Sequence, residues 1–202
     1  MRIGIYGGTF DPVHLGHWEA ARAAADQFSL DRVLFVPAGH PPHRRNSPVA
    51  EYKHRLRMVE LVCAQDPRLM SSPLEAPGHG AETHYSIDTV QHLRSQLKPD
   101  DQLFFIIGAD AFAEITSWRR WRELADLVEF IVVSRPGEEA DESLNPELVK
   151  THWLRSVNVP ISSTEIRQGL NRGESVDAWL APAVDAYIRE HELYRDGVLQ
   201  AR

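Results

Sequence analysis

The 202-residue chain has a single cysteine, Cys63, which excludes an internal disulfide and a cysteine cluster for zinc. Cys63 sits in the apolar run 58–64, a pattern that predicts a buried, unreactive thiol. Lysine is scarce as well. Lys53, Lys98 and Lys150 are the only lysines among 22 basic residues, and the others are arginine. The planar fork of arginine suits phosphate and carboxylate, and a genome-wide arginine bias would give the same count. Positive charge is in deficit overall. A net charge of −7 argues against a protein whose main task is binding nucleic acid. No window approaches the roughly 18 consecutive apolar residues of a membrane span. The opening MRIGIYGG is too short for a signal peptide and shows no cleavage site. The expectation is a soluble, cytoplasmic protein with no membrane partner. G-x-G-x-x-G and a Gly-Lys-Ser/Thr P-loop are also missing, which excludes the two commonest phosphate fingerprints.

The composition that is present, 43% apolar and 25% charged, is that of an ordinary globular chain. A chain of this length buries roughly 70% of its unfolded surface, enough for a real core. No repeat or linker divides it, and residues 1–202 read as one domain. Ile3 to Tyr6 reads as a buried strand stopped by Gly7-Gly8, and an alanine-rich helix follows over 17–27. Val33 to Val36 reads as a second strand. This βαβ opening predicts an α/β protein with a doubly wound parallel sheet and helices on both faces. Further strands are expected at 69–72, 103–107, 128–133 and, as an edge, 153–159. Helices are expected at 51–64, 86–97, 118–127, 163–171 and 182–192. The Pro-, Gly-, His- and Arg-rich stretch 37–50 reads as a long functional loop. Glu138 to Glu142 reads as an exposed acidic excursion, and Lys53, His54, Arg55 and Arg57 as a solvated helix face.

In a parallel sheet the ligand crevice lies beyond the carboxyl ends of the strands. Four unusual segments follow strand ends: 7–17, 37–45, 108–118 and 134–137. In the first, Gly7-Gly8-Thr9-Phe10-Asp11-Pro12-Val13-His14-Leu15-Gly16-His17, two glycines bare the backbone for an anion and a helix begins near Leu15. His14 and His17, three residues apart, share a face at that helix start, and Gly16 clears space between them. Donation to phosphate, metal ligation and plain packing are all open to such a pair, but no third metal ligand lies nearby. In a further segment outside these four, Ile161-Ser162-Ser163-Thr164-Glu165-Ile166-Arg167, Ser162 and Glu165 fit a capping box. The hydroxyls and Arg167 also suit phosphate at a helix N-terminus, and the two roles are compatible. A third segment, Gly39-His40-Pro41-Pro42-His43-Arg44-Arg45, is a stiffened basic loop, open to phosphate binding or to simple solvation.

These segments together resemble the bacterial nicotinate-nucleotide adenylyltransferase family of the nucleotidylyltransferase superfamily. Residues 7–17 match its Gly-Gly-Thr/Ser-Phe-Asp-Pro-x-His-x-Gly-His opening, and 161–167 match its Ile-Ser-x-Thr-x-Ile-Arg ending. Pro41-Pro42-His43-Arg44, Thr83 to Thr89, Gly108-Ala109-Asp110 with Trp118, and the ending Tyr187 to Tyr194 extend the resemblance over nearly the whole chain. It implies a Rossmann-like fold of nucleotidylyltransferase type, with a C-terminal helical part at about 161–195 holding the second motif.

The implied activity joins ATP and nicotinate mononucleotide into deamido-NAD and pyrophosphate, with Mg²⁺ arriving on the ATP phosphates and no dedicated metal cage. The resemblance implies that His14, His17 and Arg167 are catalytic. It places Gly7, Gly8, Thr9, Phe10, Gly16, Gly108, Asp110, Ser163 and Thr164 with them around ATP. Around nicotinate mononucleotide it implies His43, Arg44, Thr83, Tyr85, Asp110 and Trp118, and Arg135 of the segment 134–137 is counted with them. His84 and Ser86 depart from the residues usual beside Tyr85, and Arg119 stands where some members have an aromatic residue. Pantetheine-phosphate adenylyltransferases share the first motif but end in Ser-Ser-x-x-Val-Lys, unlike Ile166-Arg167. An enzyme preferring nicotinamide mononucleotide and a non-catalytic nucleotide sensor are the other readings. The residues do not choose between a monomer and a homo-oligomer.

Overall fold

Leu103 to Ile107 has no polar side chain, so a strand made of it must be covered on both faces. It forms the middle of β4 (Gln102–Gly108), with Phe104 and Ile106 buried on one face and Leu103, Phe105 and Ile107 on the other. The computed structural model describes residues 1–39, 50–78, 84–134, 149–154 and 161–195. The other strands are β1 (Arg2–Gly8), β2 (Arg32–Pro37), β3 (Leu69–Ser71), β5 (Glu129–Val133) and β6 (Thr151–Leu154). All pairings are parallel, in the order β3-β2-β1-β4-β5-β6. The direction of winding reverses between β1 and β4, and this is where such sheets open a crevice.

On one face lie α1 (Leu15–Gln27), α2 (Tyr52–Cys63), α6 (Ser163–Asn171) and α7 (Pro182–Glu190). Ala20, Ala21, Ala24 and Ala25 let α1 lie close to the strands. On the other face lie α3 (Ser86–Ser95), the short α4 (Ala109–Ala113) and α5 (Trp121–Leu127), packed through Ile87, Val90, Phe112 and Leu124. The expected doubly wound sheet is therefore present. Cys63 is buried, and burial pushes its thiol up to about 12, the inert thiol expected. No helix among the described residues is long and apolar enough to cross a membrane.

Three expectations need correction. The edge strand runs Thr151–Leu154 rather than from Trp153 onward, and 155–159 lie outside the described residues. Thr151 and His152 pair with Phe130 and Ile131, because an edge strand with one open side tolerates polar residues. The helix expected from Trp118 begins at Trp121. Arg120 takes a left-handed φ of 53° and Trp118 is extended, while a one-turn 3₁₀ helix, Ile115–Ser117, and α4 fill the preceding stretch. Arg55 is not on a solvated face but is 1% exposed. It follows the stripe of Val59 and Val62 at helical spacing, so its side chain must enter the core. The acidic stretch 138–142 and most of the loop 37–50 lie outside the described residues.

Candidate active site

The crevice forms where β1 and β4 end side by side in glycine. A Cβ added at Gly108 would meet nothing within 4 Å, so the space beside it is open to a ligand. After Gly8 the chain turns through Phe10, whose φ is 50°, and a cis Asp11–Pro12 bond. The Phe10 ring is buried edge-on to Tyr6 and His17, at 5.6 and 5.1 Å between centroids. It thus forms a packed base under the histidine pair.

His14 caps α1. Its Nδ1 accepts from the Gly16 amide at 3.2 Å, and His17 Nδ1 accepts from the His14 amide at 3.2 Å. This is a capping box built from two imidazoles, with ring centroids 3.8 Å apart. Because each Nδ1 receives a backbone hydrogen, the ring hydrogen resides on Nε2. The pair stands beside a helix start that has no acidic residue in its first turn.

The second motif docks on the first. Ser162 and Glu165 form the expected capping box of α6, with the Glu165 amide donating to Ser162 Oγ at 3.2 Å and the Ser162 amide donating to Glu165 Oε2 at 2.8 Å. Ser163 Oγ donates to the Pro12 carbonyl at 2.9 Å. Arg167 Nη1 donates to the Asp11 carbonyl at 2.6 Å and Nη2 to Thr164 Oγ1 at 3.1 Å. Residues 151 and 156 positions apart in the chain thus meet in one wall.

Two chambers open over this base. A polar one of about 480 Å³ is lined by His14, Gly16, His17, Asp110 and Ser162 to Thr164. A largely apolar one of about 310 Å³ is lined by Glu75, Tyr85, Phe105, Ile107, Trp118 and Arg119. They share Gly7, Gly8, Thr9, Gly108 and Ala111. Phe10 belongs to the polar side, and Tyr85 and Trp118 to the apolar side. Asp110, assigned to both nucleotides on the resemblance, lines the polar chamber alone. Arg167 holds the motif backbone and does not line either chamber. His43, Arg44, Thr83 and Arg135 lie outside the described residues.

Three side chains outside the expected site residues support the site. Arg55 donates from Nη1 to the Thr9 carbonyl at 2.8 Å and from Nε to the Ala50 carbonyl at 3.1 Å. Asp11 Oδ1 accepts from the Ala50 amide at 3.1 Å and from the Tyr194 hydroxyl at 2.8 Å. Together they fasten the first motif to the start of α2 and to the C-terminal turn. The helical spacing of Arg55 with Val59 and Val62 was the available signal. Glu75 accepts from Thr89 Oγ1 at 2.7 Å and from the Gly39 amide, and burial pushes its carboxyl above the usual glutamate range. A side chain at Gly39 would collide with the Glu75 carbonyl, so the end of β2 and the Glu75 turn touch backbone to backbone. No local pattern marks Glu75, because its partners come from distant segments.

Fold and site define a nucleotidyltransferase: a doubly wound sheet whose reversal point holds a polar, anion-suited chamber against an aromatic one, and the model of the cytidylyltransferase-like family matches residues 5–169. A probable nicotinate-nucleotide adenylyltransferase of Solibacter usitatus is 50% identical over 96% of this chain and 100% of its own length. Its Thermus thermophilus counterpart is 44% identical over the same shares. The chain belongs to the nicotinate-nucleotide adenylyltransferase family. Among solved structures, Plasmodium falciparum nicotinic acid mononucleotide adenylyltransferase, complexed with NaAD, superposes with a TM-score of 0.78. It is 23% identical, over 96% of this chain and 97% of that one, which establishes the shared fold.

Proposed function

We propose that the chain joins ATP and nicotinate mononucleotide into deamido-NAD and pyrophosphate, a step of NAD biosynthesis. The observation that carries the reading is the pair of chambers meeting over Gly7-Gly8-Thr9 and Gly108. A triphosphate in the polar chamber and a pyridine ring in the apolar one bring their phosphates together over a floor made mostly of glycine. An oxygen of the acceptor phosphate attacks the α-phosphorus of ATP in line, the new P–O–P bond forms, and the bond to pyrophosphate breaks. No protein atom becomes covalently attached, so catalysis is positioning plus stabilisation of charge.

His14 and His17 point Nε2–H donors at the phosphates, and Ser163 and Thr164 supply hydroxyls from the second helix start. Arg167 adds positive charge from behind and holds the Asp11 peptide in place. Gly16 and Asp110 complete the ATP side. Trp118 and Tyr85 flank the pyridine ring. His43, Arg44, Thr83 and Arg135 join the acceptor side on the family resemblance. Mg²⁺ enters as part of the substrate, MgATP. Asp110 is the one carboxylate lining the polar chamber among the described residues, and no group of three or more His, Cys, Asp or Glu that could hold a metal occurs among them. All 202 residues act as one nucleotidylyltransferase domain in the cytoplasm.

The test is product formation from MgATP with nicotinate mononucleotide, nicotinamide mononucleotide and 4′-phosphopantetheine in parallel. Preferential turnover of the first is expected. Turnover of another acceptor would retain the phosphate chemistry and discard the assigned acceptor. ATP binding without any turnover would replace the enzyme by a nucleotide sensor.

A further inference from the structure

The apolar chamber has one charge that the reading above leaves without a role. Arg119 joins its lining, with the guanidinium carbon 4.5 Å from the centroid of the Tyr85 ring. Its neighbours are engaged elsewhere. Arg120 grips Glu123 through bonds of 2.8 and 2.6 Å, and Arg122 stacks on Trp121 at 4.5 Å. Arg119 has neither an ion pair nor a hydrogen-bond acceptor among the described residues. Besides Arg119 and Tyr85, the ionisable side chains of the lining are Glu75 and His84, and Glu75 is turned to Thr89 and the Gly39 amide. It does not pair with Arg119.

The backbone explains the placement. Trp118 is extended, with φ −72° and ψ 144°, and Arg120 is left-handed, so side chains 118 and 119 diverge before α5 begins. Trp118 goes edge-on to Phe105 at 6.1 Å, and Arg119 goes over Tyr85. An aromatic slot thus carries a guanidinium over one of its rings, with no acceptor for its N–H groups among the described residues.

We propose that Arg119 is a specificity-determining residue that selects an acceptor whose ring bears a carboxylate over one bearing the carboxamide. This rests on the pyridine-nucleotide reading of the apolar chamber. A guanidinium has donors only, and its fork pairs two N–H groups with the two oxygens of a carboxylate. A carboxamide offers one acceptor oxygen and turns an NH₂ group toward those same donors, so one contact becomes a donor–donor clash. Stacking on Tyr85 fixes the fork before the ligand arrives and reduces the ordering cost of binding.

The experiment compares kcat/KM for nicotinate mononucleotide and nicotinamide mononucleotide, with MgATP saturating, in the wild-type chain, R119A and R119K. Arg119 is exposed, so its loss leaves the core intact. The acid-to-amide ratio is expected to fall on the order of 10- to 100-fold in R119A, chiefly through the acid, as for loss of a charged hydrogen bond. Lysine keeps the charge without the fork and should restore part of the ratio. An unchanged ratio in R119A, including an equal loss on both substrates, overturns the inference while leaving the proposed function standing. A wild-type chain that adenylates neither pyridine nucleotide overturns both.

Discussion

The polar and apolar chambers share a floor but are built by opposite means. The polar one is built mainly from two contiguous segments, 7–17 and 161–164, at the starts of α1 and α6, with Gly108 and Asp110 beside them. Behind it, Arg55, Asp11, Tyr194, Ser163 and Arg167 bind each segment to the rest of the molecule. The apolar one is assembled from single large residues of separate segments, at 75, 85, 105 and 118–119. Phosphate chemistry tolerates little displacement, because misplacing a reacting group is costly to the rate. Ring recognition needs area and one or two polar contacts. Under the proposed function, the molecule separates a firmly anchored reaction site from an acceptor pocket that single substitutions can retune.

The strongest way to break this comparison is to remove a donor from the polar chamber. His17→Ala should lower kcat on the order of 10²–10³-fold, with a much smaller change in either KM, for every acceptor. Steady-state kinetics decide the point. A variant with normal kcat and raised KM would reduce the histidine pair to a binding device. Next in size is Arg55→Met, which removes the bonds to the Thr9 and Ala50 carbonyls from the interior. Each carbonyl left unsatisfied costs about 1–3 kcal/mol. Urea unfolding should show that loss, and kcat should fall alongside it because the Thr9 peptide loses its anchor. Full activity in a destabilised Arg55→Met would make the guanidinium a fold element alone.

The complementary perturbation falls on the apolar side. Trp118→Ala should raise KM for the pyridine nucleotide on the order of tenfold, as for loss of one base–aromatic stack, with KM for ATP nearly unchanged. Trp118→Phe should recover most of it. Equal effects on both substrates would mean that the chambers are not separable.

How much of this was legible in the sequence follows the same division. The strands were visible because both sides of a parallel sheet are covered, so Leu103 to Ile107 has no polar interruption. The polar chamber was visible because its parts are contiguous and obey local rules, such as the Ser162–Glu165 box. The histidine pair's own box was not anticipated, although its spacing was the clue, since imidazoles seldom fill that role. Arg55 was misread because charge suggests solvent, and only the stripe of Val59 and Val62 contradicted that. Trp118 was expected on a helix, but the left-handed Arg120 was not visible in a Trp-Arg-Arg-Trp run. Glu75 was beyond reach, because its burial depends on Thr89, Gly39 and the course of β2, none of which is near it in the chain.

Glu75 also gives the smallest and most discriminating effect. Its carboxyl lies in the wall of the chamber where polar surface is least, and burial there disfavours the charged form more than the bonds from Thr89 and Gly39 favour it. Its folded-state pKa therefore lies above the unfolded value. The contribution of such a carboxyl to stability is fully present below the unfolded value, near 4.5, and is lost as pH rises through the folded one. Glu75→Gln removes that titration while keeping an oxygen for the Thr89 hydroxyl. The difference in unfolding free energy between the two proteins should then move in the variant's favour as pH rises from the acid side toward neutrality, whatever its starting offset. Paired urea titrations across that range measure it. A difference that is flat with pH, or that moves toward wild type, would mean that the Glu75 wall is as well solvated as the polar chamber, and the contrast between the two sides would rest on their aromatic residues alone.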